Sequence, residues 1–169
     1  MNAIATFGHY PTGAGTFGAI PPGVSVDAQS ICRKLLDVGQ YWIASASGQS
    51  RYGEPMLALF ELYERCRESD WDGEGADPIS IEALLEANKL LSSLPSSMPT
   101  PEFLPEASGS IAFEWYRGRN KVYVISVSGT KTIEYAGLFG YGNETHGKVN
   151  FEDSMPLMIR NHLLQFFLA

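Results

Sequence analysis

Four carboxylates crowd into SDWDGEGADP, Ser69 to Pro78, and three of them alternate as Asp70, Asp72 and Glu74 ahead of Gly75. Oxygen ligands at every second position followed by glycine are the opening of an EF-hand-type calcium loop. The rest of the stretch does not continue that pattern. The twelfth position, which should supply a bidentate glutamate, is Ile81, Glu82 comes one residue late, and Pro78 falls inside the loop. A structural description fits better. Asp77–Pro78 suits a helix N-cap and first turn, and Gly73 and Gly75 permit the positive φ angles of a tight reversal. The carboxylates lie where a helix N-terminus favours negative charge, and Trp71 can fold back as an apolar anchor. The stretch is therefore expected to be a helix–helix corner, with Trp71, Asp72 and Glu74 on a rim that meets a protein partner.

Glu114 is the next residue with chemical potential. In SIAFEWYR it alternates against Ile111, Phe113 and Trp115, so it shares a strand face with Ala112 and Tyr116. A carboxyl buried there beside aromatics would have a raised pKa. It could act as a general acid or base, with His146, Asp72 or Glu74 gathered at one end of the sheet. The competing expectation is a solvent-side glutamate paired across strands with Lys121 or Lys131, and the residue type favours it.

GNETHGKV, Gly142 to Val149, meets the G-x-x-x-x-G-K part of a phosphate loop. Val149 stands where a Ser or Thr would hold Mg²⁺, and NFEDSMP cannot continue a helix, so the match is formal only. His9, His146 and His162 have no metal-ligand spacing, and Cys32 and Cys66 form no CxxC pair. No metal and no cofactor are expected. The cations Arg117, Arg119 and Lys121, with Tyr116 and Tyr123 beside them, have the charge and rings to touch single-stranded nucleic acid. A solvated turn is the commoner use of such a cluster.

These residues need elements to hold them. The first 25 residues are rich in Gly and Pro and read as an N-terminal arm, with a single α+β domain over 26–169. Ala28, Ile31, Cys32 and Leu35 mark a short helix beginning at Asp27. Met56, Leu59, Phe60, Tyr63 and Cys66 give one apolar face to a helix opened by Pro55. A further helix runs from about Pro78 to Leu94, with Ile81, Leu84, Leu85, Leu91 and Leu94 buried. LPSSMPTPEFLPEASG then crosses as an extended, proline-punctuated segment.

Beyond it the period changes to two. SIAFEWYR, KVYVISVS and KTIEYAGLF, separated by RGRN and SGTK, predict an antiparallel three-stranded meander, to which KVNF can add a fourth strand. A last helix, capped at Ser154, carries Leu157, Ile159, Leu163, Leu164, Phe166 and Phe167 and is apolar almost all round. It should lie buried against the sheet or in a subunit interface. The expected class is α+β: amphipathic helices, then a three- to four-stranded antiparallel meander, covered by a C-terminal helix.

Charge is unevenly spread over this layout. Residues 54–106 hold twelve acidic against three basic residues, while the flanking thirds are nearly balanced. An acidic middle argues against a nucleic-acid partner there and suits a basic protein surface. No apolar run has membrane-span length, and neither signal-peptide features nor paired cysteines appear, which fits a cytoplasmic setting.

WDGEGADPISIEALLEANKLLSSLP, then PTPEFLPEASGSIAFEW, resembles a recurring pattern among small bacterial proteins. These share a Trp-Asp/Asn-Gly-x-Gly-Ala-x-Pro corner, a helix ending in Leu-Pro and a strand ending in Glu-Trp. The resemblance spans about Asp70 to His146 and implies no activity. It draws attention to Trp71, Asp72, Gly73, Gly75, Ala76, Pro78, Glu114 and Trp115. The reading that results is a non-enzymatic interaction subunit of a bacterial system, accessory, antitoxin-like or immunity-type. It would associate with a protein partner or with its own copies through Trp71, Asp72, Glu74, Phe166 and Phe167. A small enzyme built on Glu114 and His146 is the alternative, and a nucleic-acid module on the basic tip comes third.

Overall fold

The computed structural model describes residues 53–168. The arm at 1–25, the helix beginning at Asp27, Cys32 and His9 lie outside the described residues. Helix α1 spans Gly53–Cys66 and α2 spans Ile81–Ser93. Five strands follow, β1 Glu102–Pro105, β2 Ile111–Tyr116, β3 Lys121–Val127, β4 Thr132–Phe139 and β5 Glu144–Asn150, and then helix α3, Leu157–Leu168. Each strand pairs antiparallel with its neighbour in the chain, so the sheet order is β1-β2-β3-β4-β5. The class is α+β with a C-terminal helix, and among the described residues the sheet has five strands rather than three or four.

The two extra lengths of strand have a tertiary cause. EFLP lies within the proline-punctuated crossing and becomes β1 because it pairs with β2, setting Phe103 opposite Phe113 with the rings edge-on at 5.0 Å. At the other edge the whole of ETHGKVN, not only KVNF, pairs with β4. Both short connections fall where RGRN and SGTK place them.

Strand alternation puts Ile111, Phe113 and Trp115 of β2 beside Tyr123, Ile125 and Val127 of β3 and Ile133 of β4 on one buried face. The helices cover that face. They contribute Met56, Leu59, Leu62 and Cys66 from α1, Ala83, Leu84, Ala87, Leu90 and Leu91 from α2, and Ile159, Leu163 and Phe166 from α3. The α2 stripe is rotated from expectation: Leu85 is half-buried, and Ala83, Ala87 and Leu90 point inward.

The start of α2 also shifts. Ser80, not Asp77, is the N-cap; its φ is −78° and its Oγ accepts the Ala83 N–H at 3.1 Å. Two tertiary bonds hold the chain ahead of the cap: the Asp77 N–H bonds Ala107 O at 2.9 Å and the Ile79 N–H bonds Cys66 O at 2.8 Å.

Candidate functional site

The acidic corner is built from its own carboxylates. Asp70, at φ 64°, accepts the Gly75 N–H on Oδ1 at 2.8 Å, and its own N–H reaches Ala76 O at 2.8 Å. Asp72 Oδ1 accepts the N–H groups of Glu74 at 2.9 Å and Ala76 at 3.1 Å. Gly73 at φ 76° and Gly75 at φ 93° supply the reversals these bonds require. Trp71 packs against the core, and its indole N–H bonds Asp77 O at 3.0 Å. Each of these motif residues thus has a stated structural task. Asp72 and Glu74 remain exposed at the rim.

The Glu74 and Ala76 amides hold the Asp72 carboxyl below its usual pKa of 3.8. A depressed carboxylate pKa stabilises the fold above the unfolded value and ceases to do so as pH falls through the folded one. Asp72→Ala is therefore expected to speed amide exchange at Glu74 and Ala76 above pH 4, roughly the ordinary carboxylate pKa. The difference from wild type should close in stronger acid. Equal exchange in both proteins at neutral pH would show that the carboxylate does not order the loop.

The two catalytic candidates do not meet. One cross-strand row runs Glu102, Glu114, Val124, Ala136, His146. Three strand spacings separate Glu114 from His146, about 14 Å. Asp72 and Glu74 belong to a corner fastened to the β1–β2 turn through Asp77 and Ala107. The expected gathering at one end of the sheet is therefore absent. Nor does Glu114 pair with Lys121 or Lys131. It is half-buried, and its neighbours in register are Glu102 and Val124.

Arg117 and Lys121 of the basic tip are engaged with α3, while Arg119 and Tyr116 are exposed. Arg117 Nη1 donates to the carbonyls of Phe166 and Phe167, both at 3.1 Å, closing the C-terminal end of α3 where cations are favoured. Its guanidinium also lies 5.9 Å from the Phe167 ring, and the Lys121 ammonium lies 5.9 Å from the Phe166 ring. Lys148, the would-be phosphate-loop lysine, sits in β5 and pairs with Glu134 at 2.8 Å.

Phe166 is fully buried inside the chain's own core, so its ring is not on offer to a partner. Phe167 is half-buried, edge-on to it at 5.2 Å. Beside them the Tyr123 hydroxyl is hydrogen-bonded to His162 Nδ1 at 3.1 Å. Burial pushes the Tyr123 pKa up and the His162 pKa down, so both stay neutral at ordinary pH. Burial likewise raises the Cys66 thiol, which favours the unreactive protonated form.

Sequence reasoning missed one feature and read a second only as a helix apolar almost all round. Glu86 lies on the inward side of α2, 7% exposed, and its Oε2 accepts the Gly129 N–H at 2.6 Å. The only sequence signal was helical spacing, since Glu86 falls between Ala83 and Leu90 on the buried face. The second is a divided apolar surface on α3. Ile159, Leu163 and Phe166 face the core, while Leu157, Leu164 and Leu168, at 71%, 38% and 84% exposure, line the opposite side.

Among the described residues, no three His, Cys, Asp or Glu side chains gather in a way that could hold a metal ion. No described helix is long and apolar enough to cross a membrane. Comparison with family models, curated proteins and solved structures finds no match to the chain.

Proposed function

We propose that this chain is a non-enzymatic protein-interaction subunit, an accessory, antitoxin-like or immunity-type component of a bacterial system. The observation that carries the reading is the second apolar stripe of α3. A helix packed on a sheet needs one apolar face, and this one has two. Leu157, Leu164 and Leu168 lie on one line along the helix, opposite the residues that pack inward, and uncovered apolar surface of this kind marks a contact site. The acidic character of α1 and the corner adds a preference for a basic partner surface.

The test separates association from folding. Leu164→Lys/Leu168→Lys is expected to change stability by less than about 1 kcal/mol, because both side chains are on the exposed side and cations suit this end of α3. Association with a protein partner or a second copy should fall by about tenfold or more, since charges at an apolar contact centre are poorly tolerated. Light scattering and tagged capture read the association, and circular dichroism reads the fold. Undiminished association in the double variant would remove α3 as the contact. A wild-type chain that stays monomeric and retains no stoichiometric protein would remove the reading altogether.

A further inference from the structure

An open groove of about 870 Å³ runs between α1 and β1. Along α1 it is faced by Glu54, Ala58, Glu61 and Arg65, a stripe at i, i+4, i+7 and i+11 that must lie on one side of a helix. Leu62 and Phe103 add apolar floor, and Glu102 closes the opposite rim from β1. Glu64, which also lines the groove, is paired with Arg67 at 3.6 Å. Among the described residues that line the groove, Glu54, Glu61 and Glu102 stand against Arg65. The groove is apolar below and acidic at its edges.

Its shape argues for an extended chain rather than a compact ligand. Small-molecule sites enclose most of their ligand, whereas this groove opens along its length. Glu54 and Glu61 are two helical turns apart, about 10.5 Å, which three residues of extended chain cover. Among the described residues β1 is an edge strand, and edge strands carry backbone groups that can accept an added chain. Pro101 and Pro105 bracket it, and Glu102 and Leu104 stand in register to bond β2, so Phe103 is the residue whose N–H faces the free edge.

We propose that the α1–β1 groove seats a short, extended, lysine- or arginine-bearing segment of a protein partner. The proposal rests on the interaction reading but concerns a different surface from α3. Apolar side chains of the segment meet Ala58 and Phe103, and its cations meet Glu54, Glu61 and Glu102. Charge complementarity selects the segment, and desolvation of the floor holds it.

The probe is a short dye-labelled peptide alternating lysine and valine, titrated with the full chain and read by fluorescence anisotropy. Saturable binding is expected. Ala58→Trp fills the floor without changing charge, and Ala58 is exposed, so the helix tolerates it. It should weaken binding about tenfold, as should Glu61→Lys/Glu102→Lys. Glu144→Lys/Glu152→Lys makes the same change in net charge away from the groove and should alter affinity by less than about twofold.

Three results overturn the proposal: no saturable binding to wild type, no effect of Ala58→Trp, or equal weakening by the control pair. If wild type still associates through α3 while the peptide fails to bind, the groove proposal falls and the interaction reading stands. If neither occurs, both fall.

Discussion

Phe166→Ala is expected to remove about 3–5 kcal/mol of folding stability, the usual result of truncating a fully buried aromatic ring. The ring has no solvent exposure, stands edge-on to Phe139 at 6.1 Å and lies 6.2 Å from Tyr123. It is the anchor that joins α3 to β3 and β4. Removing it leaves a void beneath the helix and loosens the two carbonyls that Arg117 holds. Urea unfolding of wild type and variant measures the loss. A cost below about 1 kcal/mol would mean that α3 does not pack through this ring. A Phe166 variant that fails to associate therefore reports a damaged fold, and the exposed leucines of α3 are the informative positions for a partner.

Glu86→Ala should cost about 2–4 kcal/mol, because a buried hydrogen bond is lost, a void is left and the Gly129 N–H is without its acceptor. Gly129 has a φ of 80°, and a Cβ there would lie 2.6 Å from the Ala83 nitrogen, so the β3–β4 turn sits directly on the first turn of α2. Water has little room to replace the carboxylate. Glu86→Gln keeps an acceptor and most of the shape, and should recover about half of the loss.

The pH dependence gives a second check. Burial holds the Glu86 pKa above its ordinary 4.5, outweighing the backbone N–H groups of Gly129, Lys131 and Ser128 and the Lys89 charge. A raised carboxyl pKa contributes stability that is complete below the unfolded value and is lost as pH rises through the folded one. The deficit of Glu86→Gln relative to wild type should therefore narrow from acid towards neutral pH. A deficit that widens with pH would show that the carboxylate is held as a favoured anion.

What could be read from the chain follows the range of the forces involved. The three central strands were legible because their alternation and four-residue connections are local. The acidic corner was legible as a corner for the same reason: its bonds all close within ten residues, from Asp70 to Ala76 and Trp71 to Asp77. The α2 cap was misplaced by three residues because Asp77 and Ile79 are held by Ala107 and Cys66, partners that sequence spacing does not reveal. β1 was hidden among prolines and becomes a strand only through its pairing with β2. Composition made Phe166 look available to a partner, since an apolar helix reads alike whether one face or two are covered. Glu86 was invisible because its partner, Gly129, is 43 residues away.

The strand order has a kinetic consequence. Because each strand pairs with the next one in the chain, the sheet can assemble by successive hairpin closures, each across a connection of four or five residues. Such short closures carry little loop entropy, so this sheet can form early and quickly for a β structure. The long-range fastenings, α2 to the β3–β4 turn through Glu86 and Arg117 to the end of α3, close far longer loops, and we expect them to form after the hairpins. Contacts made after the barrier slow unfolding without speeding folding. On this topology the buried glutamate and the capping arginine govern how long the native state persists, while the hairpins govern how fast it is reached.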